Sequence, residues 1–224
     1  MALDRHTGEL VWSAALNKDY FSYSTPVLLS LQNRDILVGT SRNFIHVVDR
    51  KDGTLLSSYR LEDISLGYEH CNSVVYRDGY VYFVACEEKG QGSIKLKLSK
   101  NGKSLTEVWR NPGVLNIFGG FVVVDYHLFT TLENKKLVAL HTENGRISES
   151  VRSVSGSIVY ADQKLFVYGH NGTLQLFSLE GGAPELKSEM RIREGSGHHF
   201  SFPVIEEGMM YIRRGDALMA YSVK

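Results

Sequence analysis

Five short segments ending in a turn glycine recur along the chain, and this repeat constrains the fold more than any other feature. They are Asp4-Arg5-His6-Thr7-Gly8, Asp49-Arg50-Lys51-Asp52-Gly53, Ser99-Lys100-Asn101-Gly102, His141-Thr142-Glu143-Asn144-Gly145 and Ser178-Leu179-Glu180-Gly181-Gly182, spaced by 45, 49, 43 and 37 residues. From the second copy onward an apolar run precedes each turn: Ile45-His46-Val47-Val48, Ile94-Lys95-Leu96-Lys97-Leu98, Leu137-Val138-Ala139-Leu140 and Leu174-Gln175-Leu176-Phe177. Another run follows, as in Leu10-Val11-Trp12 or Leu55-Leu56-Ser57. Upstream of these lies a second kind of unit, strand, tight turn, strand, seen at residues 72–83, 157–168 and 202–212. Together they predict four short antiparallel strands in about 43 residues, the period and strand count of a β-propeller blade.

Composition agrees with strands. The 12 Tyr and 10 Phe sit with Val and Ile in short runs broken by Asp-Gly, Asn-Gly or Gly-Gly, and no segment holds an i, i+3, i+4, i+7 apolar pattern over ten residues. The class expected is all-β, with about five repeats forming one domain over 1–224. The first residues supply only the end of a third strand and a fourth, and residues 199–224 supply three strands. Two arrangements are open: Leu10–Leu16 zips beside Leu218–Val223 to close a five-bladed ring, or the chain is an arc of a seven- or eight-bladed propeller, incomplete at its N-terminus. The second is preferred.

Charge and cysteine content narrow the function. With 25 basic against 25 acidic side chains, the chain lacks the broad positive field used to bind nucleic acid or an anionic membrane. Cys71 and Cys86 are the only cysteines, too few for a disulfide framework or a four-cysteine zinc site. No run of about 18 apolar residues predicts a transmembrane segment, and no export signal is visible. Gly90-Gln91-Gly92 reads as a hairpin turn rather than a phosphate loop. Asn171-Gly172-Thr173 matches a glycosylation sequon, but a tight hairpin explains it.

The first repeat, Ala2-Leu3-Asp4-x-x-Thr7-Gly8-Glu9-Leu10-Val11-Trp12, resembles the signature A-x-D-x-x-T-G-x-x-x-W of pyrroloquinoline-quinone-type (PQQ-like) β-propeller repeats. That family includes quinoprotein dehydrogenases and outer-membrane assembly lipoproteins of the BamB type. In later copies the aspartate persists as Asp49 and is replaced by His141 and Ser178, and the tryptophan recurs clearly only as Trp109. The resemblance implies that Trp12 and Trp109 dock blades together and that the chain is exported to the periplasm or beyond.

Chemistry is expected in the loops entering each innermost strand, which a propeller gathers near its axis. Those loops carry Tyr20 and Tyr23; Tyr68, Glu69, His70 and Cys71; and His198 and His199. Aromatic rings there suit a flat or sugar-like ligand, and the imidazole, thiolate and carboxylate groups suit zinc or a similar metal. Adjacent histidines in a strand point to opposite faces, however, and the same residues serve equally as lining of a wet channel. No catalytic residue is assigned. The leading expectation is a non-catalytic scaffold for a protein or small-molecule partner, without a cofactor. A quinone-dependent dehydrogenase using PQQ and calcium is one alternative, although Cys71 and Cys86 do not form the adjacent cysteine pair common in that class and no calcium ligands can be placed. A small-ligand or metal module at the channel mouth is the other.

Overall fold

The computed structural model describes residues 1–17, 19–61, 69–86 and 92–223, and among them it contains strands and no helix. All 21 strands pair with sequence neighbours, as antiparallel meanders. A two-stranded piece, β1 (Ala2–Leu3) and β2 (Leu10–Trp12), comes first. Two four-stranded sheets follow, β3–β6 (strands Val27–Leu31, Arg34–Thr40, Phe44–Asp49, Leu55–Arg60) and β7–β10 (Val75–Arg77, Tyr80–Val84, Ser93–Leu98, Leu105–Asn111). Two more are β11–β14 (Phe121–Val124, His127–Leu132, Lys136–His141, Ile147–Arg152) and β15–β18 (Gly156–Ala161, Lys164–Gly169, Thr173–Ser178, Glu185–Arg191). The three-stranded sheet β19–β21 (Val204–Glu206, Met209–Arg214, Ala217–Ser222) is last. The expected repeat, with its partial first and last copies, is therefore present, and β2 and β21 belong to separate sheets.

Contacts divide the chain into two compact units, Met1–Leu115 and Asn116–Lys224. In the first, Ile36, Val38, Ile45 and Val47 from β4 and β5 pack with Val81, Phe83, Ile94 and Leu96 from β8 and β9. In the second, the central strands of the β15–β18 sheet, β16 and β17, are buried on both faces. Leu165, Val167 and Phe177 pack with Phe129, Leu137 and Ala139, whereas Phe166, Tyr168 and Leu174 pack with Met210 and Ile212. Because side chains alternate across a strand, this two-sided burial explains why Leu165–Tyr168 is a continuous apolar run.

The turns reproduce one another. Each of the five repeat glycines has φ between 71° and 83°, a region open to glycine at little cost. Asp4 Oδ1 accepts from the backbone N–H groups of His6 and Thr7, and Asp49 Oδ1 from that of Lys51. One extra residue bulges just after four of the turns, at Val11, Leu56, Ser148 and Lys187, as the register shifts require. In β9–β10 the bulge moves along the strand to Val108.

The two tryptophans stand at different places in their repeats, Trp12 four residues after its turn glycine and Trp109 seven. Trp12 docks onto the following repeat: its Nε1–H donates to the Arg50 carbonyl at 3.0 Å, and its ring lies against Gly53, where an added Cβ would sit 2.5 Å from Cε3. Ser57, at the corresponding position of the next repeat, donates to the Gly102 carbonyl at 2.9 Å. Trp109 instead pairs with Lys95 in register and lies near Tyr82, with ring centres 6.4 Å apart, on its own sheet. The Lys95 ammonium sits 3.9 Å from the centre of the Tyr80 ring, a cation–π arrangement. Lys95 is buried whereas Lys97, two residues along the same strand, is exposed.

Candidate functional site

In the first unit the loop before β3 is tied down at several points. Tyr23 N–H donates to the His70 carbonyl at 2.8 Å, and Arg42 N–H donates to the Tyr20 carbonyl at 3.1 Å. The buried Arg42 guanidinium lies 5.6 Å from the Tyr20 ring centre and 3.4 Å from Glu69 Oε1. Arg42 thus joins two of the expected site residues. Tyr20 and Tyr23 remain largely exposed, at 65% and 69%, with Tyr23 edge-on to Phe21. His70 differs from a solvent-facing donor: it is fully buried and edge-on to the core ring of Phe83, 4.9 Å between centres. Cys71 is half-buried, and burial followed by the Glu69 charge pushes its thiol pKa up, away from a reactive thiolate. Tyr68 lies outside the described residues.

In the second unit the loop at residues 116–120 is held from below by buried Asn116. Its Nδ2 donates to the Thr131 carbonyl at 2.7 Å, and its Oδ1 accepts from Gly119 N–H. This presents Phe118 outward. The loop before β19 is anchored by two rings. Phe202 lies on Gly120, and His199 lies on Gly172 while its Nδ1 bonds the hydroxyl of Tyr168. Burial, then Arg214 and Arg191, lowers the His199 pKa. His198 stacks on Phe200 with ring planes 4° apart.

Phe118, His170 and Phe200, from three separate loops, form one aromatic cluster with centre distances of 5.3 to 5.8 Å. Phe118 and Phe200 are 39% and 47% exposed. Burial lowers the His170 pKa, with the Glu133 charge opposing, so this imidazole is neutral at pH 7. Beside it a cavity of about 650 Å³ is lined by Glu133, Lys135, Arg152, His170, Gln175 and Glu189, among others.

Tyr20, Tyr23, Glu69, His70 and Cys71 therefore belong to the first unit, and His198 and His199 to the second. Phe118 and Phe200 were within loops recognised from the repeat, but His170 sits in the β16–β17 turn, outside the loops expected to carry function. A histidine after a buried apolar strand, flanked by Gly169 and Asn171, was its only signal. Among the described residues, no three His, Cys, Asp or Glu side chains converge to hold a metal. Both indoles are engaged in packing. No helix among the described residues is long and apolar enough to cross a membrane.

Comparison with known proteins places this arrangement. The crystal structure of BamB from Moraxella catarrhalis superposes with a TM-score of 0.70 at 14% identity, over 97% of this chain and 64% of that one. This chain thus spans less than two thirds of the length of that BamB. The computationally designed Ika4 protein superposes with a TM-score of 0.50 at 13% identity, over 77% of this chain and 99% of that one. At such identities the likeness concerns the fold, a partial β-propeller. No curated protein matches the sequence. The family model described as outer membrane protein assembly factor BamB matches residues 1–151, two thirds of the 224 residues, and on that match the chain belongs to the BamB family of PQQ-like β-propeller proteins.

Proposed function

We propose that the protein is a non-catalytic scaffold on the periplasmic side of the outer membrane, where its loops bind a protein partner in the assembly of outer-membrane proteins. The carrying observation is the exposed cluster of Phe118, His170 and Phe200, with His198 stacked at its edge. Exposed aromatic groups gathered from separate loops on a rigid sheet scaffold are characteristic of protein contact surfaces, because they bury large area at small entropic cost. The family description supports the assembly role. Tyr20 and Tyr23 offer a further exposed aromatic loop in the first unit. The histidines among the expected site residues then act as ring contacts rather than metal ligands.

A double variant, Phe118→Ala with Phe200→Ala, tests the reading. Affinity purification from a membrane extract should recover at least tenfold less of the outer-membrane assembly complex with the variant, while circular dichroism stays unchanged. Equal recovery would reject the surface. Dye-linked alcohol oxidation by the wild-type protein after incubation with PQQ and calcium would reject the non-catalytic reading.

A further inference from the structure

Within the first unit, a cavity of about 220 Å³ lies against the face of β3–β6 opposite its core. Met1, Trp12, Ala14, Leu16, Pro26, Leu37 and Val48 make most of its wall, and among the described residues no charged side chain lines it. Its polar side chains are Ser24, Thr40 and His46. The two hydroxyls are satisfied: Ser22 Oγ donates to the Thr40 carbonyl at 2.7 Å, and the Ser24 and Thr40 hydroxyls each have a hydroxyl acceptor within the Ser22, Ser24 and Thr40 cluster. His46 is 2% exposed, and among the described residues its Nδ1 has no hydrogen-bond partner.

The protonation of that ring follows from a chain of contacts. Asp19 Oδ2 accepts from Asn43 N–H at 2.6 Å and from Ser41 Oγ at 2.6 Å, and Oδ1 accepts from Asn43 Nδ2 at 3.0 Å. Burial alone would raise the Asp19 pKa, but these hydrogen bonds and the nearby imidazole bring it below the usual value. Asp19 is therefore an ionised acceptor. Ser41 spends its only proton on Asp19, so its oxygen must accept from His46 Nε2–H, 2.8 Å away. The His46 proton is on Nε2, and Nδ1 carries a lone pair. The order carboxylate, serine, imidazole is not that of a nucleophile triad, in which the carboxylate bonds the histidine. What the chain does is fix one tautomer and leave one buried acceptor unmatched.

We propose that this cavity is a binding site for a small uncharged ring compound carrying a single hydroxyl or N–H donor, the phenol class, whose donor bonds His46 Nδ1. The apolar wall and the Trp12 ring favour an aromatic body. Among the described residues the wall offers no charged side chain to offset the desolvation cost of an ion. The volume, equal to about seven waters at roughly 30 Å³ each, admits one such ring. A buried acceptor left unpaired is costly and discriminates strongly in favour of a ligand that supplies the missing donor.

Phenol and toluene are matched in shape and differ in the donor. Calorimetric titration of the whole chain should show saturable phenol binding, and the ¹⁵N resonance of His46 Nδ1 should move as phenol is added and not with toluene. In His46→Phe the ratio of phenol to toluene affinity should fall at least tenfold. Ala14→Leu, which adds bulk to the cavity wall, should weaken both ligands and leave their ratio unchanged. Absence of saturable phenol binding, an unmoved Nδ1 resonance, or an unchanged ratio in His46→Phe would each overturn the proposal. If His46→Phe does not fold, the Nδ1 resonance of the wild-type protein decides.

Discussion

His46 carries a consequence for pH beyond ligand binding. Burial lowers its pKa, with the Asp19 charge opposing, and burial also lowers those of His170 and His199. A histidine whose folded pKa is depressed binds fewer protons in the native than in the unfolded state below about pH 6.5. Its stabilising contribution is therefore complete above that value and is lost as the pH falls through the depressed folded pKa. The urea midpoint should fall between pH 8 and pH 5, and fall less in His46→Phe; a midpoint rising over that interval would contradict the assignment. At the same scale, buried Trp109 should cost about 3 to 5 kcal/mol when truncated to alanine, the range for a buried aromatic side chain. Trp12 is half-buried and should cost less, about 2 kcal/mol, below the range for a fully buried aromatic side chain. Urea unfolding followed by circular dichroism measures both, and wild-type stability of the Trp12→Ala variant would remove its docking role.

Among the elements, the repeated turn separates backbone demand from packing demand. Gly8 and Gly53 share a φ of 76°, yet a Cβ on Gly8 meets nothing within 4 Å, whereas one on Gly53 collides with the Trp12 ring. Gly8→Ala should therefore cost only the positive-φ penalty, about 1 kcal/mol. Gly53→Ala should cost at least about 1 kcal/mol more, since overpacking adds roughly 1 to 3 kcal/mol. Equal losses in chemical unfolding would show that Trp12 yields freely. The two tryptophans show the limit of the repeat, because Trp12 stands four residues after Gly8 and Trp109 seven after Gly102. The residue four after Gly102 is Thr106, and Trp109 lies farther along its strand, opposite Lys95 and past the bulge at Val108.

At the scale of the whole molecule, burial predicts how the sheets open. Residues within β8, β9, β12, β13, β16 and β17 are mostly buried, while all seven residues of β18 are exposed and β2 is exposed at two of three. Amide exchange should be slowest in the central strands and faster by orders of magnitude in β2 and β18, where opening needs little apolar exposure. Uniform protection across each sheet would contradict this gradient. The strand order was legible because a two-residue side-chain period and glycine-marked turns are local properties. The aromatic cluster was half legible, since Phe118 and Phe200 stood in recognised loops whereas His170 did not.

By itself the sequence determined the all-β class, the repeat, the antiparallel meanders and the incomplete first and last sheets. Each follows from alternation and turn chemistry acting within about a dozen residues. Tertiary structure decided which polar residues the folded sheets would enclose. His70 is closed off against Phe83, Lys95 is drawn under Tyr80, and His46 is turned toward Ser41 with one nitrogen left unmatched. These outcomes depend on contacts between residues far apart in the chain. Whether a histidine becomes a surface ring, a core ring or a site is set by what packs over it, and that neighbour is not encoded beside it.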